Sequence, residues 1–508
     1  MKSLYSNAFA RIAAIASMSS MVFGAPAFAQ NPSAATATCD IDNARPQAVA
    51  RATFSMARAQ AALKAGTPAK DLRDVISVLN TPSAKNENPI GRAYLLGQAY
   101  MLLLEQPGIA PIATRSSIGL TTDPAGTIDL FAAADSMWNV VEASSPACVS
   151  VGRQWRQQKT WLNITNAAIN ALNAGKLDSA EYFANRALLL DRNAPYAYSV
   201  LASVAKTRKN YPVAGEYWKK TLAAAGTDTA FNDVREHALY DMAATTTIRT
   251  DATTGAEKKA LAREAINNWN VLLGKSTDDI QNTFAVQNLA KLYVVAGDSL
   301  STGKIYAPML AEPGRYGENT LMQAGVLASQ FKHPDDAARL FLAVLERNPY
   351  QRDALNDLAA SYIFLNQYDK VFPLVERLTA VDPSNPENWM LNAYSYAGLL
   401  KNTKPGKLNK QYTDSLVFYN AKAEKMPVKV TITEFSRSSD STIIVGMIEN
   451  RSTAAKTFPL TVDFLDNKGQ VLFSETALVG PVTVRGMKEF RIKSAKGGVS
   501  AFRYKPLT

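Results

Sequence analysis

The chain of 508 residues contains only two cysteines and two histidines. His237 and His333 lie far apart, and neither belongs to a pair with the spacing of metal ligands. This scarcity argues against a zinc or iron–sulfur centre and against most histidine-based catalysis. The sequence also lacks a phosphate-binding glycine loop and a G-x-S-x-G nucleophile motif. We therefore predict no catalytic residues, no metal site, no cofactor and no enzymatic activity.

Runs of like charge and long apolar stretches are also missing. The 55 Lys and Arg residues outnumber the 44 Asp and Glu residues, which gives a formal net charge of +11. The basic residues are scattered, so none of the basic runs that mark a nucleic-acid-binding patch occurs. No later segment has the roughly 18 consecutive apolar residues of a transmembrane helix. We predict no nucleic-acid partner and no transmembrane segment in the mature chain.

Residues 1–29 have the pattern of a secretory signal peptide. Lys2 and Arg11 supply positive charge without any acidic residue, and a mostly apolar run follows. The segment ends in Ala27-Phe28-Ala29, which offers a small-residue cleavage site. We predict cleavage after Ala29 and a periplasmic or secreted mature protein. Loss of the two basic residues lowers the net charge from +11 to +9.

The two cysteines are Cys39 and Cys148. Export would place both of them in an oxidising compartment, where disulfides form and persist. Because the chain has no other cysteine, a Cys39–Cys148 disulfide is the single intramolecular pairing available. The alternative is two separate buried thiols.

An internal repeat of 34 residues runs through most of the chain. Phe341 is followed eight positions later by Pro349, and the same pair recurs after 34 residues as Val375 and Pro383. Upstream of each pair lies a second helical pattern that combines small and large apolar residues. Small residues let two helices of a hairpin approach closely, large residues fill the space between hairpins, and proline ends the second helix. Each hairpin leaves an apolar face uncovered, so neighbouring hairpins must stack.

This pattern resembles the tetratricopeptide repeat (TPR), a 34-residue helix–turn–helix unit. The resemblance implies a mainly α fold, an α-solenoid of helical hairpins over residues 30–426, with its clearest repeats in 161–228 and 283–400. A loop from Pro107 to Thr127 splits the second helix pair, and we expect an insertion near Thr245–Gly255 in the fifth. The predicted pairs lie near 45–82, 90–147, 161–194, 195–228, 229–275, 283–317, 318–351, 352–385 and 386–425.

After residue 426 the hydrophobic pattern changes from helical to alternating. Short strands separated by turn signals fit a small antiparallel sandwich over residues 427–508. The run from Val445 to Ser452 and the Asp466-to-Gly469 turn resemble the bacterial envelope β-sandwich called FxLYD, although the tyrosine of its strand motif is missing. The resemblance implies an Ig-like sandwich but no particular activity. The predicted strands are Val428–Thr433, Thr442–Ile448, Phe458–Leu465, Val471–Glu475, Lys488–Ile492 and Ala501–Tyr504.

The TPR resemblance also implies a concave groove, lined by fixed positions of the first helix of each hairpin, that holds a partner. The groove residues are mixed polar and apolar with little net charge, and the Lys/Asn/Arg set that clamps a C-terminal carboxylate is missing. An apolar or amide-rich extended peptide, or a helix, therefore fits better than an acidic tail. The groove residues that the resemblance implies are Phe284, Gln287, Lys291, Met322, Val326, Asn356, Phe364, Met390 and Tyr394.

These observations predict an exported, non-catalytic scaffold of the bacterial cell envelope that binds other envelope proteins or peptides. An open edge of the sandwich is a second candidate surface, because a strand edge can accept a partner strand. The alternative is an accessory protein that binds or exports an envelope glycan or a small molecule, for which the net charge of +9 would favour an anionic ligand. The sequence leaves the oligomeric state open.

Overall fold

The computed structural model describes residues 39, 41, 47–63, 66, 68–298 and 301–508. The predicted signal peptide lies outside these residues. The chain divides into two compact units, Met1–Arg249 and Thr250–Thr508, which are described separately. The predicted fold class is confirmed, because antiparallel helical hairpins are followed by two small antiparallel sheets.

The first unit consists of helical hairpins built on small buried side chains. In α8, Ala180, Ala184 and Ala187 repeat at helical spacing and are fully buried, so this face can lie close to its neighbours. Four hairpins form by the pairing of α1 with α2, α4 with α5, α7 with α8, and α9 with α10. The helices are α1 (Gln47–Leu63), α2 (Ala69–Leu79), α3 (Pro82–Glu87), α4 (Pro89–Leu104), α5 (Leu130–Ser144), α6 (Pro146–Arg156), α7 (Lys159–Asn173), α8 (Leu177–Leu190), α9 (Pro195–Thr207) and α10 (Tyr211–Ala225).

The segment between α4 and α5 contains a two-stranded antiparallel sheet, β1 (Ile112–Thr114) and β2 (Thr127–Asp129). The side chain of Asp129 then accepts hydrogen bonds from the first turn of α5 and so caps this helix. Near the beginning of α6, Cys148 forms a disulfide with Cys39, and the two Cα atoms are 4.7 Å apart. The predicted pairing of the cysteines is confirmed.

An insertion is expected near Thr245–Gly255, and almost all of these residues are helical. Helix α11 (Asn232–Ala252) runs without interruption, and α12 (Gly255–Leu273) begins three residues after its end. The hydroxyl of Thr246 donates to the carbonyl of Met242 one turn earlier. Intrahelical bonds of this kind let a polar, β-branched run remain helical. With 21 and 19 residues, α11 and α12 are the longest helices of the described ranges, so the extra residues of the fifth predicted pair lengthen its helices.

The second unit begins with α12 packed against α13, and its hairpins pair α13 with the short helix α14, α15 with α16, α17 with α18, and α19 with α20. The first helices of successive hairpins contact one another. Gly325 permits the tight packing of α15 on α16, since a Cβ there would lie 2.5 Å from Cε1 of Phe341. The helices are α13 (Asp279–Ala296), α14 (Gly303–Ala311), α15 (Glu318–Gln330), α16 (Pro334–Arg347), α17 (Arg352–Phe364), α18 (Val371–Val381), α19 (Pro386–Lys401) and α20 (Lys407–Glu424).

Six strands form the sandwich at the end of the second unit, and all six predicted strands are confirmed. One sheet has the order β3-β4-β7 and the other β6-β5-β8, with antiparallel pairing throughout. Val430, Ile444, Phe464 and Phe490 are among the side chains that fill the core between the sheets. The strands are β3 (Val428–Arg437), β4 (Thr442–Asn450), β5 (Lys456–Leu465), β6 (Val471–Val482), β7 (Met487–Ser494) and β8 (Ala501–Tyr504).

A buried polar network fixes the sandwich to the last hairpins of the same unit. The Tyr504 hydroxyl on β8 donates a hydrogen bond to the Asp382 carboxylate after α18, and both side chains are almost completely buried. The backbone N–H of Ser384 donates to the same hydroxyl at 3.2 Å. The Arg352 guanidinium lies 3.7 Å from the second Asp382 oxygen. These bonds compensate the burial of a carboxylate at this junction.

Candidate functional site

The candidate site is the surface formed by the exposed and half-buried side chains of α13, α15, α17 and α19, which we call the first-helix face. Three large aromatic side chains on this face are strongly exposed: Phe284 by 47%, Phe364 by 68% and Tyr394 by 54%. They come from α13, α17 and α19 respectively. Exposed aromatic side chains in this number contribute nothing to the core and are the residue type enriched at binding interfaces.

The other six predicted groove residues also lie on the four first helices, and none of them is fully buried. Gln287 on α13 donates through Nε2 to Gln323 Oε1 on α15 at 3.1 Å, so it joins two neighbouring helices. Lys291 is exposed to solvent. The remaining residues are half-buried and are Met322, Val326, Asn356 and Met390.

A cavity of about 340 Å³ opens between α15 and α17. It brings together two of the predicted residues, Val326 and Phe364. Its apolar lining is completed by Pro334 and Ala360, and its polar lining includes the carboxyl group of Asp357. The full lining is Val326, Ser329, Gln330, Lys332, Pro334, Asp357, Ala360, Ser361 and Phe364.

Asp357 is a functional candidate that the sequence analysis missed. Its side chain is half-buried, and its carboxylate has no hydrogen bond and no ion pair within the described part of the chain. Burial, and after it the neighbouring Asp353 carboxylate, raises the pKa of Asp357 to about 6, while Arg352 opposes the shift. The spacing of Asp357, Ser361 and Phe364 at i, i+4 and i+7 is the only signal in the sequence that places it beside Phe364.

Met390 does not belong to this cavity. It lines a more open depression of about 510 Å³ between α19, α20 and the sandwich. Charged side chains dominate that lining, and Lys429 donates to Glu387 there at 2.5 Å. With three acidic and two basic side chains, its lining is more polar than that of the cavity between α15 and α17.

Each histidine lies against an aromatic ring. His237 on α11 lies edge-on to Trp218, with ring centroids 5.6 Å apart, and burial lowers the pKa of its imidazole. His333 lies against the ring of Tyr306 at 6.3 Å. Within the residues that the structure describes, no group of three or more His, Cys, Asp and Glu side chains could hold a metal ion.

Over the described ranges, no helix combines the length and the apolar character that a transmembrane helix needs.

Comparison with known proteins adds local likenesses only. No family model matches the chain, and no curated protein matches it, so the FxLYD resemblance of the sandwich stays a prediction. A human IFIT1 dimer with m7Gppp-AAAA is 14% identical over 75% of this chain and 90% of that chain, with a TM-score of 0.28. A tetratricopeptide repeat protein from Parabacteroides merdae is 14% identical, covers 53% of this chain and 94% of its own, and has a TM-score of 0.26. YrrB, a TPR protein with an unusual peptide-binding site, is 15% identical over 49% and 96%, with a TM-score of 0.24. At these values the likeness carries no argument about partners.

Proposed function

We propose that this protein is an exported scaffold of the bacterial envelope that binds an extended segment of a partner protein on the first-helix face. The observation that carries the proposal is the exposure of Phe284, Phe364 and Tyr394 on three first helices of one unit. Burying such aromatic side chains against a partner is favourable at about 25 cal/mol per Å² of apolar surface. The cavity beside Phe364 provides a recess for one side chain of that partner.

A non-catalytic role fits the same surface. The first-helix face presents aromatic, aliphatic and amide groups, and no histidine or cysteine is among the described residues that line the cavity of Asp357. Binding without chemical conversion is therefore the activity that this set of side chains supports best.

The binding proposal can be tested by removing the exposed aromatic rings. A Phe364→Ala/Tyr394→Ala double variant should lose the partners that the wild-type protein retains from a detergent-free envelope extract, as identified by crosslinking and mass spectrometry. The matched control is Phe418→Ala, since Phe418 is exposed by 58% but lies on the second helix of its hairpin. Retention of all partners by a double variant with an unchanged circular dichroism spectrum would contradict the proposal.

The proposed location in the envelope is supported by the Cys39–Cys148 disulfide, because disulfides persist in exported proteins and are rare in the cytosol. When the chain is expressed in a bacterium, we expect the periplasmic fraction to contain a mature form that begins at Gln30. An Ala29→Lys variant should remain uncleaved, because the cleavage site requires small residues. Intact mass measurement decides the matter, and an uncut wild-type chain in the cytosolic fraction would refute export.

A further inference from the structure

We propose that the cavity between α15 and α17 receives an arginine side chain of the bound partner, with its guanidinium on the Asp357 carboxylate and its stem along the Phe364 ring. This inference rests on the proposed function, because it assumes that the first-helix face holds a partner segment. It goes further by naming the side chain that anchors that segment.

The geometry of the cavity suits a long side chain with one polar end. Phe364 lies two helical turns beyond Asp357 on α17, and Ala360 and Ser361 lie between them. These two small residues leave an open channel along the helix, and Val326 and Pro334 form apolar walls on the facing side. The volume of about 340 Å³ is at the low end of ligand pockets, which range from about 300 to 1,000 Å³. It accommodates one extended side chain.

The charges in the cavity favour a cation. The carboxylate of Asp357 is half-buried and has no ion-pair partner within 4 Å in the described part of the chain. Arg352 is the cation that lowers its pKa, but this guanidinium already binds Asp353 and lies 3.7 Å from Asp382. The pKa of Asp357 is raised because burial disfavours the charged carboxylate and Arg352 offsets this effect only in part. A partner cation would supply the missing charge.

The structure favours arginine over lysine. A guanidinium can donate two parallel hydrogen bonds to the two free carboxylate oxygens of Asp357, whereas an ammonium acts as a point charge. Arginine is also more weakly hydrated, so it loses less on entering a half-buried site. Its methylene stem and planar head can pack on the exposed Phe364 ring.

Among the described residues, Lys332 is the one cation that lines the cavity. Its side chain is exposed at the turn between α15 and α16, and it does not contribute to the pKa shift of Asp357. An acidic partner would bind at Lys332 and would avoid Asp357. The two residues therefore give opposite predictions for the charge of the partner, and each serves as the control for the other.

The test is selection of a random peptide library, displayed on phage, on the full-length wild-type protein and on two variants. We expect wild-type protein to enrich sequences with arginine at one fixed position next to an apolar residue. Asp357→Asn should abolish this preference, while Lys332→Gln should keep it. With the best capped peptide measured by fluorescence anisotropy, Asp357→Asn and replacement of the arginine by uncharged citrulline should each weaken binding about 10- to 100-fold. Thermal denaturation checks that Asp357→Asn is folded.

Three other outcomes would each overturn the arginine anchor, and they differ in what they imply for peptide binding. Enrichment of peptides without arginine, lost in the Phe364→Ala/Tyr394→Ala variant, would overturn the arginine anchor and leave the proposed binding function intact. Enrichment of acidic peptides that depends on Lys332 would overturn the anchor in the same way. Failure to enrich any peptide would overturn both the anchor and peptide binding by this face.

Discussion

The buried hydroxyl of Tyr504 offers the sharpest test of how the sandwich is held on the helical hairpins of its unit. Tyr504→Phe removes one oxygen, which donates to the buried Asp382 carboxylate and accepts from the Ser384 N–H. A hydrogen bond to a charged group contributes about 1.5–3 kcal/mol, and a buried N–H left without a partner costs about 1–3 kcal/mol. Because Asp382 keeps Arg352 and Asn385 as neighbours, we expect a loss of about 2–4 kcal/mol in unfolding free energy.

Urea denaturation followed by circular dichroism and tryptophan fluorescence measures this loss. The matched control is Tyr368→Phe, because the Tyr368 hydroxyl donates to Asn366 at an exposed position and its removal should cost under about 0.5 kcal/mol. Equal losses of unfolding free energy in Tyr504→Phe and Tyr368→Phe would show that the buried network does not hold the sandwich on the hairpins.

The pH dependence of the same variant provides an independent check. Burial first, and the Asp382 carboxylate second, raise the pKa of Tyr504 well above its ordinary value of 10.0. The stability that depends on the neutral phenol is therefore fully present below pH 10 and falls as the pH rises further, since only the unfolded chain ionises readily there. The difference in stability between the wild type and Tyr504→Phe should shrink above pH 10. A difference that stayed constant to pH 11 would contradict the assignment.

Three further predictions concern stability. Cys148→Ser removes a disulfide that joins residues 109 positions apart, and it should lower the unfolding free energy in urea by up to about 4–5 kcal/mol. Equal stability of the reduced and oxidised wild type would contradict this prediction. Gly325→Ala should cost about 1–3 kcal/mol in the same assay, because its Cβ would overpack against Phe341. Gly215→Ala is the control and should stabilise by about 0.5–1 kcal/mol, because the space at its Cβ is open. Equal effects of the two substitutions would refute the close packing of α15 on α16. Asp357→Asn should be as stable as the wild type at pH 3 and about 1–3 kcal/mol more stable at pH 8, because a carboxyl whose folded pKa is raised to about 6 loses stability as the pH rises from its unfolded pKa of about 4 to its folded pKa. Parallel pH–stability curves would exclude that shift.

Local patterning predicted much of the helical part of the chain. The 34-residue spacing between proline-terminated helices indicates hairpins, and α15 to α20 lie within the predicted pairs. Local patterning is less informative at α11. A run of threonines near Thr245 has low helix propensity, but hydroxyl-to-carbonyl bonds such as Thr246 to Met242 satisfy these side chains inside a helix. Propensity alone cannot reveal this compensation.

The candidate site was predicted only in part. The TPR resemblance places Phe364 and Tyr394 at groove positions of first helices, and both side chains are exposed. Asp357 was missed because its importance depends on the facing helix, where Val326 and Pro334 complete the cavity. The angle at which two hairpins pack decides which of their residues meet, and the spacing of residues within one helix does not reveal it.

The amino-acid sequence by itself determined the elements of this protein: the repeat length, the switch from helical to alternating apolar residues after residue 426, and the pairing of the two cysteines. These follow from local periodicity and from elimination, so no distant contact is needed to deduce them. Tertiary structure alone decided that a tyrosine near the C-terminus bonds to Asp382, 122 positions earlier, and that Asp357 has no counterion among the described residues. Such pairings depend on how whole elements dock, because the energy of a buried charge is set by every neighbour that surrounds it.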